Sequence, residues 1–415
     1  MIRKQIAIQI LLLVSTIMCA NPHDKSDGLP ELTKYHRSSL YSLVLKHPEL
    51  EFGKEIVDVF KSVPLPDRFN DHDLKFKALP APVMRKVSKH EIDNAYQYSV
   101  MQMLERNKIG GRLVGKWFNR DKDTGTFDMA LVSERGQYDA SIMDVKKALA
   151  SVRGAAMLSD AGEELIGKTY VLVNDIRYGD KSTLKLFVGA GLLAANIAGA
   201  ASGHDVTQSL ASAAELTEKI RGFKVVVTSF LYRLEWDEEA QANFYGTLWI
   251  DRGKTDTERR NLWNEAMGNF RLTYVGSATV ATGKTALGGV ESDRDMFLKV
   301  CTRAVDLSIA QLQKNFDEFK VFTPIISTEP IAAYIGMKEG ITSDSRFEVL
   351  EQVEGDDGRT HYNKVGVVKP VRGKIWDNRF MAAEDHEDGS DLTYTTFEKV
   401  SGGTLYPGML IREIK

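Results

Sequence analysis

Apolar positions change their spacing several times along this chain, and the changes divide it. A continuous apolar run from Ile6 to Met18 comes first. Residues 21–88 are mixed and rich in proline and charge. A helix is predicted near Glu55–Val63, followed by the breaker run Pro64-Leu65-Pro66 and by an extended linker around Pro80 and Pro82. Ser88 and Glu91 form a capping-box pair ahead of Ile92, Tyr96, Val100, Met103 and Leu104, which recur at helical spacing and give one apolar face. Phe127–Val132 reads as a short strand. A helix is predicted from Asp144 to Leu165, with Gly167 as its stop, and Tyr170-Val171-Leu172-Val173 is the continuous apolar run of a strand covered on both faces.

Further on, Phe223–Trp236, Phe244–Ile250 and Phe270–Val280 read as strands, the first two joined by a charged hairpin. A long helix opens at Ser292 and Asp293, with Phe297, Cys301, Ala304, Leu312, Phe316 and Phe319 near one side. After Pro324 the helical period disappears. Arg346–Leu350, Lys364–Val368, Thr393–Lys399 and Met409–Ile414 are short alternating segments among glycines. The order predicts an α+β chain: a mixed sheet packed on helices over 89–324, preceded by an extension and linker over 21–88, then a small all-β barrel or sandwich over 325–415.

The Leu186–Gly203 segment breaks every period. It carries no charge and is dense in glycine and alanine, with only Asn196 and Ser202 polar. Its length sits at the lower end for a spanning helix, roughly 17–25 residues. Small residues let helices approach closely, in lipid or in a protein interior. Either a buried Gly/Ala-rich helix or a membrane or partner contact fits, with Leu186, Phe187, Val188, Leu192, Leu193 and Ile197 as the candidate contact residues.

The amino terminus reads as a signal peptide over 1–20. Arg3 and Lys4 precede the apolar run, and Cys19-Ala20 offers a small residue at the cleavage point. Cleavage after Ala20 is the preferred reading. Cys19 is a candidate lipidation site, although Met18 is bulky for a lipoprotein signal. Cut after Ala20, the chain keeps only Cys301, expected to be a small buried hydrophobe on a helix stripe.

Composition adds exclusions. Of the 415 residues 43% are hydrophobic and the formal net charge is -3, which supports a sizeable core and gives no basic patch for nucleic acid. Ala278-Thr279-Val280-Ala281-Thr282-Gly283-Lys284-Thr285 imitates a phosphate loop, with Asp175 as an imitation of its acidic partner. Gly288-Gly289 follows too soon for the helix that such a loop opens. Asp71-His72-Asp73 reads as a polar surface turn. Glu384-Asp385-His386-Glu387-Asp388, with Asp391, reads as a solvated acidic loop without Ca-loop spacing. No catalytic, cofactor or metal residues are assigned.

The tail Ile335-Gly336-Met337-Lys338-Glu339-Gly340-Ile341, followed by Arg346-Phe347-Glu348-Val349-Leu350, resembles the carboxy-terminal barrel of flagellar assembly protein T. The middle block, with Thr282-Gly283-Lys284 ahead of the helix from Asp293, resembles the periplasmic domain of the curli-pore lipoprotein family. That family inserts alternating hairpins into the outer membrane, whereas Leu186–Gly203 does not alternate. The whole chain is similar to a group of uncharacterised exported proteins of Gram-negative anaerobes. These resemblances imply an envelope protein, periplasmic or bound to the outer membrane, with other envelope proteins or itself as partners. A non-enzymatic structural or assembly role is the favoured expectation. The alternatives are an exported hydrolase with dispersed carboxylates and a carbohydrate- or peptide-binding module stacking ligands on Trp236, Tyr245 and Trp249.

Overall fold

A computed structural model describes residues 38–50, 53–66, 69–82, 92–138, 163, 165–178, 223–284, 293–320, 322–354, 360–380, 382 and 392–414. All lie within one compact unit. The chain is α+β, a mixed sheet packed on helices and followed by a closed barrel.

The sheet begins earlier than the pattern suggests. Residues 39–46 fall in the stretch expected to be an extension, yet Ser39–Lys46 is β1 and pairs in parallel with β4, Thr169–Tyr178. The sequence SLYSLVLK has five apolar residues on alternating and adjacent positions and leaves only Lys46 exposed, as a strand covered on both faces requires. Short strands β2 (Asn70–Asp71) and β3 (Ala78–Pro80) pair with the outer edge of β1, so Pro80 closes an edge strand and not a free linker. On the other side β4, β5 (Phe223–Leu234) and β6 (Leu272–Lys284) form an antiparallel run, giving the order β2-β1-β4-β5-β6.

Helices cover both faces. Tyr41, Leu43, Leu45, Val171, Val173 and Phe230 face α2 (Ile92–Arg106) and α3 (Ile109–Trp117). The alternate residues Leu40, Val44, Tyr170, Leu172 and Ile176 face α1 (Gly53–Phe60) and the long α7 (Asp293–Asn315). This split follows from the two-residue period of a strand.

Two expected strands are helical instead. Phe127 makes a single bridge to Asp251, then Asp128 Oδ1 accepts the Ala130 N–H and α4 (Ala130–Tyr138) begins. The π turn Phe244–Leu248 continues α5 (Glu238–Asn243), and its buried residues are Phe244 and Leu248, four apart. Asp237 caps α5 by accepting the Ala240 N–H, and Glu238 and Glu239 suit its first turn, so the charged stretch is a helix start and not a hairpin. Phe244 and Trp249 join Phe118, Phe127, Trp236, Trp263 and Phe270 in one aromatic cluster, with Phe118 and Phe244 stacked at 4.4 Å. Aromatic packing of this density, worth about 0.5–1.5 kcal/mol per pair beyond burial, outweighs strand propensity. The predicted Asp144–Leu165 helix lies mostly outside the described residues.

After α7 come β7 (Thr323–Thr328), β8 (Ile331–Ala333), β9 (Arg346–Glu354), β10 (Thr360–Pro370), β11 (Thr395–Gly402) and β12 (Leu410–Ile414), closed in the order β10-β11-β8-β7-β12-β9. Ile325, Phe347, Val349, Val368, Phe397 and Ile411 fill the barrel. Arg303 and Lys314 of α7 donate to the Phe380 and Gly340 carbonyls, at 3.0 and 3.2 Å.

Near α6 (Thr257–Ala266), helix α3 comes within backbone contact of the segment that follows. A Cβ on Gly110 would stand 2.0 Å from the Phe270 carbonyl oxygen. Gly110→Ala is therefore expected to destabilise the fold by about 1–3 kcal/mol or more, because backbone cannot yield as a side chain can. A urea unfolding midpoint equal to the native chain's would refute this packing.

Candidate functional site

Ligands of open α/β sheets bind beyond the carboxyl ends of the parallel strands. Here that position holds a buried ionic cluster. Asp175 lies near the end of β4, beside the end of β1, and is 5% exposed. His47 follows the last residue of β1, and its Nε2 stands 2.8 Å from Asp175 Oδ1. Arg177, two residues along β4 and hence on the same face, donates from Nε to Oδ1 at 2.8 Å and from its terminal nitrogen to Oδ2 at 3.0 Å. Tyr96 of α2 donates its hydroxyl to Oδ2 at 2.6 Å.

Burial alone would push the Asp175 carboxyl up. The His47 hydrogen bond and the Arg177 charge more than reverse this and hold it at about 2. Tyr96 is pushed well above the ordinary phenol range by burial and by the Asp175 charge. The Nδ1 of His47 faces Glu49 at 3.0 Å, so a carboxylate stands at each ring nitrogen, and no hydroxyl or thiol nucleophile is bonded to either. The four donors at Asp175 use up its two oxygens. Chemically the group fastens β1, α2 and β4 together.

The opposite end of the parallel strands carries a second sealed network. Asp71-His72-Asp73 is not the surface turn its composition suggests: His72 is fully buried. Its Nε2–H donates to the Leu113 carbonyl at 3.0 Å, which leaves Nδ1 to accept from Arg135 at 2.8 Å. Arg135 also donates to Ser39 Oγ and the Asp71 carbonyl, and lies 4.5 Å over the Trp117 ring. Burial, with the Arg135 charge, holds His72 well below the ordinary imidazole value. Alternation explains the misreading: one residue of a polar triplet points inward while its neighbours point out.

The remaining candidates resolve as follows. Leu186, Phe187, Val188, Leu192, Leu193, Ile197 and Cys19 lie outside the described residues, as does the acidic run 384–388 with Asp391. Trp236 is 8% exposed and belongs to the core of the α/β body, whereas Tyr245 and Trp249 are half-buried and pack against the same aromatic cluster. Cys301 is a buried free thiol, with its ionisation pushed up by burial. Ala278–Lys284 is a stretch of β6, a strand paired with β5 throughout. A cleft of about 620 Å³ separates the end of α7 from the barrel. Its carboxylates Glu339 and Glu413 accept from Gly336 N–H and Ser345 Oγ, and Lys320 pairs with Asp317. Among the described residues, no group of His, Cys, Asp and Glu is placed to hold a metal ion.

β4 and β5 pair antiparallel as far as Tyr178 opposite Val225. Neighbouring antiparallel strands need only a short turn. Here residues 179–222 occupy that place, so the segment containing 186–203 leaves and re-enters the sheet at one point, directly beyond the Asp175–Arg177 tie. No protein-family model matches the chain, and no curated protein matches it.

The two sealed networks predict a stepped acid response. His72 binds no proton when folded, so stability is full above about pH 6.5 and begins to fall below it as the unfolded chain takes one up. Asp175 contributes about 2 kcal/mol above about pH 4, lost as pH drops through about 2. His72→Gln, which can both donate to Leu113 and accept from Arg135, should remove the first decline. Asp175→Asn should cost about 3–5 kcal/mol at neutral pH and flatten the second. Denaturant unfolding from pH 8 to 2 measures both; an unchanged profile in either variant would refute its assignment.

Proposed function

We propose that this is an exported, non-enzymatic protein of the periplasm or outer membrane, a structural or assembly component. Its partner or membrane contact is the insertion between β4 and β5, through Leu186, Phe187, Val188, Leu192, Leu193 and Ile197. The observation that carries this reading is the root of the insertion: β4 and β5 pair out to Tyr178 opposite Val225, and the residues that join them, 179–222, include the uncharged, apolar run Leu186–Gly203. The β4 end is pinned by His47, Tyr96, Asp175 and Arg177. Long apolar insertions at such places are commonly functional. The leader pattern at 1–20 supplies the compartment. The filling of the strand ends by internally bonded charge supports contact in preference to catalysis. Among the described residues no helix is long and apolar enough to cross a membrane.

The test removes the insertion and keeps its root. Replacing residues 180–221 by a short Asn-Gly turn should leave the purified protein folded, since the flanking strands already pair. Export should continue, with a mature amino terminus at Asn21. Carbonate washing should release the variant from the envelope fraction while the intact chain stays behind. A variant that fractionates like the intact chain would overturn the contact, and an intact chain found in the cytosol beginning at Met1 would overturn the compartment.

A further inference from the structure

The two edges of the mixed sheet are unequal. One edge is made by β2 and β3, of two and three residues, the second ending in Pro80. Short pieces and proline are the ordinary means of blunting an edge against other strands. The other edge is β6, thirteen residues long. From Leu272 to Gly283 it has no charge and no proline. Its inner edge pairs with β5 from Leu272 to Lys284, interrupted by one bulge where Gly276 and Tyr274 oppose Leu231 and Tyr232. Among the described residues its outer edge has no partner strand. A long uncharged edge presents a row of unpaired N–H and C=O groups, a template for another strand.

We infer that β6 is a docking edge and that its occupant is the β6 of a second copy of this chain, antiparallel across a two-fold axis. Two features select a second copy. The uncharged edge is electrostatically compatible with itself, because an antiparallel partner sets no like charges opposite one another between 272 and 283. With the β2/β3 edge blunted, the open edge cannot meet a different edge head to tail. Self-association through the sheet then closes as a pair and does not run on into a filament. The size of the contact sets its strength. Thirteen residues span about 43 Å of strand, and with a sheet depth of about 10 Å the strands alone cover roughly 400 Å² per copy. That is about 800 Å² in total, below the roughly 1,200 Å² at which stable interfaces begin, so the pair should be weak and reversible. The inference is independent of the insertion and of its proposed contact.

Sedimentation equilibrium of the full mature chain tests it. A reversible dimer is expected over about 1–100 µM. Ala281→Lys places a charge on the half-exposed edge strand and should weaken the dimer at least tenfold, with the thermal midpoint of the monomer unchanged. Hydrogen exchange on the unmutated chain gives a second measurement that needs no variant. Alternate amides of 276–284 should be protected at high concentration and exchange on dilution. A chain that stays monomeric at about 100 µM would overturn the inference. So would a dimer in which these amides exchange freely, or one that Ala281→Lys leaves as tight as before.

Discussion

A carboxylate withdrawn from water must find nearly all of its hydration replaced, and Asp175 imposes this condition on the α/β body. Removing such a charge from solvent costs several kcal/mol even after relaxation, so most of what its four donors supply offsets that penalty and only about 2 kcal/mol is left over. What they add is selection among arrangements. The donors come from the end of β1, from α2 and from β4 itself. A slip of one residue between β1 and β4 would send His47 to the opposite face and leave the carboxylate short of a partner. Register, helix position and strand order are thereby fixed by one group.

The same logic operates at two further levels of the sheet. At the other end, Arg135, His72, Ser39 and Trp117 close the start of the parallel strands. On the α7 face, Asn174 donates to Ser42 and Leu43, Ser229 donates to Asn174, and Ser308 of α7 bonds to Ser229. Polar groups inside the body are thus engaged in holding strands to helices. This makes a long insertion tolerable, since loop-closure entropy rises only slowly with length and the anchoring strands do not depend on the loop for pairing.

Much of the fold was legible in the residues. The apolar run at 170–173, the strand from Phe223, the stripe of α7 and the alternating segments after Pro324 all carry periods that survive folding. The N-terminal strand was obscured by its own Ser39, Ser42 and Lys46 and by the prolines that follow it. The segment 244–250 was misread because an aromatic-rich stretch satisfies both a two-residue and a four-residue spacing, and the cap at Asp237 was the deciding signal. The ionic cluster was half legible. Asp175 stands out at the end of an apolar strand, and Arg177 two residues on shares its face. His47 and Tyr96 could not be joined to them without knowing that β1 lies beside β4.

Helix α7 connects these observations to the barrel. One side of it buries Cys301, Ala304, Val305 and Leu312 against the sheet, and Arg303 and Lys314 reach barrel carbonyls. Just beyond its end the Phe316 ring lies where a side chain on Gly276 of β6 would be, 1.9 Å from that position. The segment that ends α7 near the barrel therefore also packs on the face of β6 at its bulge. A strand packed on its faces and, among the described residues, unpaired along its outer edge keeps its backbone groups in line at no further entropic cost. That preorganisation separates β6 from a frayed edge, and it arises from the joint between the two modules.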